Sequence, residues 1–288
     1  LLAGAGAATL AEKLDNKFHS PDELKQSTGL PILGTIPFQK ELKDRKKSNI
    51  PQMEPLATSP CWEACLSLQT NISFVSPDTP LRYIVISSAV PSEGKSTIAL
   101  YLAQAAAAIG KKVLLVDADL RRPQVHVRTD LPNTWGLSNL IFSNIDLSQA
   151  IQVAPFEENL SILTSGQVPP NPTRALSSQK MGSLLERLQR RFDLIIFDTP
   201  PLTGLADAKL LAPRTDGMVM VVGLGMTERS IFQRALDELK IARVPVLGLV
   251  ANGVKGYTPN YSTYYKRYYH KTAKFDLMEN IQNFVSPK

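Results

Sequence analysis

From residue 81 onward, short apolar runs alternate with longer helical stretches, and that alternation restricts the chain to few architectures. The runs are Tyr83–Ile86, Val113–Val116, Leu160–Leu163, Leu194–Phe197, Met218–Val222 and Val246–Val250. Between most of them lie segments of helical character, such as Thr97–Ile109, Met181–Arg191 and Arg229–Ile241. Each run is apolar throughout rather than at alternate positions, so each strand must be covered on both faces. Parallel strands joined by crossover helices meet that demand. The pattern predicts an α/β fold: a mostly parallel sheet with helices on both faces. At 288 residues and 43% hydrophobic content the chain has the apolar material for such a core.

One junction carries chemistry. The strand Ile84–Ser88 runs into Ala89, Val90, Pro91, Ser92, Glu93 and Gly94, and a helix begins at Lys95, Ser96 and Thr97. Strand, tight loop and helix are the parts of a phosphate loop, whose backbone N–H groups and helix N-terminus face phosphate oxygens. Lys95 adds a positive charge there, and the Ser96 hydroxyl is a ligand for Mg²⁺. Ala89 stands where the usual G-x-x-x-x-G-K-[ST] spacing has its first glycine. Two further strands end in carboxylates: Val113–Asp117, followed by Asp119, and Asp193–Asp198. In an open α/β sheet the C-terminal strand ends line the ligand crevice, and carboxylates there can hold Mg²⁺ directly or through its waters. A capping aspartate accounts for one of the three, not for all of them beside a lysine–serine loop. The expected fold is therefore P-loop NTPase-like, with ATP and Mg²⁺ as ligands.

Other chemistries find no support. Cys61 and Cys65 are the only cysteines and sit four apart in an apolar segment, as small core residues of a reducing compartment do. His19, His126 and His270 are scattered, so neither a metal site nor a histidine-based triad is expected. The net charge of +6 is mild and accompanies no nucleic-acid-binding module, so no nucleic-acid partner is expected.

Three regions are expected. Residues 1–50 read as a juxtamembrane connector, 51–255 as the P-loop domain, and 256–288 as a flexible tail. Leu1–Leu10 is small and apolar but short of the roughly 20 residues that span a bilayer. Composition alone permits either a chain that begins partway into a helix or the last turns of a transmembrane helix. Glu12–Phe18 reads as a polar helical stretch, Ser20–Glu23 as a capped helix start, and Gly29–Pro37 as a short strand or loop. The basic run from Lys40 to Lys47 suits a solvated face and also a cytoplasmic collar beside a membrane helix. In the tail, Tyr257, Tyr261, Tyr264, Tyr265, Tyr268 and Tyr269 are six of the eight tyrosines in the chain. No period organises them into one buried face.

On these residues the chain resembles the bacterial tyrosine kinases (BY-kinases), the cytoplasmic domains of polysaccharide co-polymerases that govern capsule and exopolysaccharide export. Asp117–Pro123, Trp135–Ser138, Ser165–Pro172, Asp198–Pro201, Asp207–Ala208 and Gly248–Asn252 carry the likeness. The resemblance implies an ATP-dependent tyrosine autokinase on the cytoplasmic face of the bacterial inner membrane, anchored by an N-terminal transmembrane segment and working with the polysaccharide export machinery. It implies that Gly94, Lys95, Ser96 and Thr97 hold ATP, that Asn252 lies near the adenine, and that Ser96, Asp119 and Asp198 surround the metal. Asp117 would be the base on the incoming hydroxyl, with Lys95, Asp119 and Asp198 beside it. Arg121 and Arg122 would steady phosphate or the acceptor, and the six tail tyrosines would be the acceptors. A tail of about thirty residues reaches several tens of ångströms, so length leaves transfer within or between chains open. The resemblance implies transfer between chains that self-associate through the tail and the Glu63 helix, in an assembly expected to be weaker than the family norm because Leu66 and Gln69 stand at its arginine positions.

Three departures qualify it: Ser92 replaces a loop glycine, Ala251 replaces a bulkier aliphatic, and Leu66 and Gln69 replace two arginines of the association helix. Two rival readings remain. A partition or septum-site ATPase switch would carry a lysine at Val90. A non-catalytic ATP-binding scaffold would suit Ser92 and the altered Glu63 helix.

Overall fold

Ser20 opens the first helix, α1 (Pro21–Thr28): its hydroxyl accepts from the Glu23 amide, Pro21 takes the first turn, and Gly29 at φ 70° closes it. In the computed structural model, which describes residues 15–38, 60–143 and 145–255, this helix leads directly into β1 (Ile32–Pro37). There follow α2 (Pro60–Val75), β2 (Tyr83–Ser88), α3 (Lys95–Ala108), β3 (Val113–Asp117), α4 (Val125–Thr129), α5 (Leu137–Phe142) and α6 (Leu147–Ala150). The rest is β4 (Ile151–Ala154), β5 (Glu157–Leu163), α7 (Pro172–Ser177), α8 (Gln179–Leu188), β6 (Leu194–Asp198), α9 (Asp207–Leu211), β7 (Gly217–Gly223), α10 (Arg229–Ile241) and β8 (Val246–Val254).

The eight strands form one sheet in the order β1-β8-β7-β2-β6-β3-β5-β4. All pairings are parallel except β4 with β5, at one edge. This is the expected P-loop NTPase-like α/β architecture. Alternate side chains of the central strands feed two cores. Val85, Leu114, Val116, Phe197 and Met220 pack under α1, α5, α7, α8, α9 and α10. Ile84, Ile86, Leu115, Ile196 and Val219 pack under α2, α3 and α4. Burial on both faces explains why these strands are apolar at every position.

The region expected to be a connector is partly built into the sheet. β1 pairs in parallel with β8, and α2 lies over it, with Asn71 donating to the Leu33 carbonyl. Residues 15–18, expected as helix, are not helical. Lys17 bridges Glu228, and Phe18 is buried edge-on to Phe232, with ring centroids 5.7 Å apart. A core anchor at Phe18 and backbone bonds to residues 225–229 outweigh a weak local helix preference. Leu1–Leu10, the run from Lys40 to Lys47 and the tyrosines at 257–269 lie outside the described residues. Among the described residues no helix is long and apolar enough to cross a membrane.

Cys61 and Cys65 are buried free thiols on one face of α2. Gln69 of the same helix is 2% exposed with its Nε2 lacking a partner, and Leu66 packs against the core. In this fold the position of Gln69 faces inward, so its side chain is unavailable to a neighbouring chain.

Candidate active site

β2, β6 and β3 lie side by side at the centre of the sheet, and their C-terminal ends carry the chemistry. The register sets Asp198 beside Ile86 on one side and beside Asp117 on the other. Two carboxylates from distant segments thus become neighbours through strand pairing alone. The turn after Asp198 is laced to β2: the Thr199 amide and hydroxyl donate to the Ile86 carbonyl, and the Leu202 amide to Ser88. The phosphate-loop residues 89–94 follow β2, and α3 starts at Lys95 with Gly94 as its N-cap at φ 93°.

Lys95 lies within this carboxylate group. Its Nζ is 2.9 Å from Asp119 Oδ2, 3.6 Å from Asp198 Oδ1 and 3.3 Å from Ser96 Oγ. Burial works to lower the lysine pKa, but Asp198 and Asp119 outweigh it and hold the ammonium above its ordinary value. Asp117 is fully buried. Its Oδ2 accepts from the backbone amides of Gln124 and Val125, at 3.0 and 2.9 Å, where the chain enters α4. Burial, reinforced by the Asp198 charge, pushes its pKa up to about 8. Burial also raises Asp198, offset in part by Lys95. Asp119 Oδ1 accepts from the Arg121 and Arg122 amides, which shapes the turn after β3.

The structure therefore brings Lys95, Ser96, Asp117, Asp119 and Asp198 together, as the sequence predicts, with Thr97 half-buried in the first turn of α3. Asn252 reaches the same loop from the end of β8, but its Nδ2 donates to the Glu93 carbonyl at 2.8 Å. Its observed partner is the loop backbone. Arg121 is engaged as well: its Nε donates to Asp207 Oδ2 at 2.7 Å and its guanidinium also reaches Thr173. That guanidinium braces the loop to α7 and α9. The sequence reading assigned no role to Asp207, Thr173 or Glu93. A carboxylate inside a loop built for phosphate was the available signal for Glu93.

The donor set suits Mg²⁺. Asp117 Oδ1 is buried without a hydrogen-bond partner, and the buried Asp198 carboxylate faces the Ser96 hydroxyl and the Lys95 ammonium, 3.6 Å away. The carboxylate and hydroxyl oxygens are hard ligands. Among the described residues no cluster of three or more His, Cys, Asp or Glu is placed to hold an ion by itself.

A family model described as an AAA domain matches residues 81–226. Over 189 residues the chain is 43% identical to the tyrosine-protein kinase YwqD of Bacillus subtilis, covering 66% of this chain and 79% of that protein. It is 30% identical over 271 residues to the tyrosine-protein kinase etk of Escherichia coli K12, covering 88% of this chain and 37% of that longer protein. The solved kinase domain of Escherichia coli tyrosine kinase ETK matches with a TM-score of 0.75 at 29% identity, over 84% of this chain and 97% of that one. Identity at this level across most of a relative's length, on a shared fold, is decisive: the chain belongs to the bacterial tyrosine-protein kinases.

Proposed function

We propose that this kinase moves the γ-phosphoryl group of ATP onto tyrosine hydroxyls of the 257–269 cluster on a neighbouring copy. One observation carries the reading: a lysine at the head of α3 lies among three buried aspartates at the ends of β3 and β6. Phosphoryl transfer needs positioning and charge neutralisation more than covalent help, and this group supplies both. Lys95 leaves its carboxylate partners for the phosphate oxygens. Ser96, Asp119 and Asp198 are the residues to hold Mg²⁺, which neutralises charge on those oxygens when bound. Asp117 takes the tyrosine proton. Burial and the Asp198 charge make it a stronger base than an ordinary aspartate, able to take that proton once it is itself ionised. Gly94 and Thr97 complete the loop, and Asn252 borders the nucleotide.

The same reading extends to the cell. A transmembrane helix ending near Leu10 would hold the domain on the cytoplasmic face of the inner membrane, beside the export machinery for capsule or exopolysaccharide. Each phosphotyrosine adds about −1.5 to −2 charge, and Asp117, Asp119 and Asp198 repel that charge, so modified tails leave the site and the assembly loosens.

Intact mass after incubation with Mg-ATP tests the transfer. Its direction is tested by mixing a Lys95→Met chain carrying an intact tail with an active chain whose six tail tyrosines are Phe. Phosphate on the Lys95→Met chain is the expected result. No phosphate there, with the unmodified protein labelling itself at a rate independent of concentration, refutes transfer between chains.

A further inference from the structure

Glu93 lies in the phosphate loop between Ser92 and Gly94, yet it is 1% exposed. A carboxylate beside a polyphosphate is electrostatically unfavourable, and here three neutral donors hold it. Oε2 accepts from the Val90 amide at 2.8 Å, within the loop. Oε1 accepts from the Gly223 amide at 2.9 Å, at the end of β7, and from the Thr227 hydroxyl in the turn that follows. With donors on both oxygens, the carboxylate cannot serve the substrate. It ties the two ends of the loop's arch to a strand of the central sheet. From the other side, Asn252 holds the Glu93 carbonyl. The fit is close: a Cβ on Gly94 would meet Asn252 Nδ2 at 2.3 Å. Between these ties Ser92 keeps φ at 69°, a conformation that only glycine adopts cheaply. A strained residue persists where its surroundings over-determine it, and Glu93 and Asn252 do so here.

We infer that Glu93 is a positioning residue for ATP binding: its carboxylate clamps the loop to Gly223 and Thr227, so that the phosphate-binding backbone is set before nucleotide arrives. This rests on the kinase reading and names how its nucleotide site is held. Preorganisation of this kind shows in binding, because bound phosphates can themselves order a loosened loop. Glutamine keeps the shape but offers one acceptor and one NH₂ group, so one side of the clamp must set a donor against a donor.

The test measures initial rates against ATP concentration for the full chain, with affinity for a fluorescent ATP analogue read on the same samples. Glu93→Gln should raise both KM for ATP and Kd for the analogue by about tenfold or more, the effect of losing one charge-assisted bond. Its rate at saturating ATP should stay within about threefold of the unmodified protein, since the chemistry is untouched. Thr227→Val should raise both constants by a smaller factor, and Thr227→Ser, which keeps the hydroxyl, should restore them. Glu93→Gln with unchanged KM and Kd overturns the inference. So does a fall in rate that tracks the folded fraction while KM is constant, which marks a merely structural residue. If Glu93→Gln does not fold, the threonine pair decides: equal constants for Thr227→Val and Thr227→Ser overturn it. An unmodified protein that binds the analogue but transfers no phosphate defeats the kinase reading alone, and Kd then judges the clamp.

Discussion

Replacing Asp117 by asparagine should make the nucleotide-free protein more stable while abolishing phosphoryl transfer. The geometry suits the amide. Its oxygen can take the Gln124 and Val125 amides that Asp117 Oδ2 now accepts. Its NH₂ then occupies the place of Oδ1, which has no partner, and faces the Asp198 side of the site as a donor. The gain follows from linkage. The folded-state pKa is about 8 against an ordinary value of 3.8, so the native state holds a proton that the unfolded chain releases. A group raised in this way leaves stability intact at low pH and removes it progressively as pH climbs from about 4 to about 8. Four units at roughly 1.4 kcal/mol each set a ceiling of about 6 kcal/mol. Because Asp198 and Lys95 share the charge, we expect about 2–4 kcal/mol at pH 8, shrinking toward zero near pH 4. Urea unfolding in EDTA at several pH values, monitored by circular dichroism, measures it. An asparagine variant no more stable than the parent at pH 8, or an advantage that shrinks as pH rises, would refute the reasoning.

Two further substitutions probe the loop. Lys95→Met should eliminate phosphotyrosine on immunoblots. It should also lower the urea midpoint by the equivalent of roughly 2–4 kcal/mol, because Asp119 and Asp198 lose their buried cation. Unchanged stability would mean that the lysine does not neutralise them. Ser92→Gly relieves a left-handed residue at φ 69°, worth about 1 kcal/mol, but returns part of it as chain entropy. The expected net gain is about 0.5 kcal/mol in thermal or urea unfolding, and a loss above about 1 kcal/mol would show that Ser92 is not strained.

Local pattern was enough for the elements that are apolar throughout and for the loop between β2 and α3. A strand buried on both faces must be written in consecutive apolar residues, and a phosphate loop in small residues before Lys95 and Ser96. The order of the strands was not legible, because pairing joins segments with no shared periodicity. Asp117 and Asp198 are adjacent only because β3 and β6 are in register. Local signals also misled at Glu12–Phe18, where the fate of the described residues was set by the burial of Phe18 against Phe232, far along the chain.

The sequence by itself determined the α/β class, the position of the phosphate loop, and which carboxylates end buried strands. Each of these is a short-range property of side-chain size, charge and period. Tertiary structure alone decided that β1 closes the sheet beside β8, that Gln69 faces inward, and that Arg121 is committed to Asp207. It also decided that Glu93 joins Gly223, 130 residues away. A hydrogen-bond partner is chosen by where folded backbones meet, and the residues that surround each strand cannot encode that meeting.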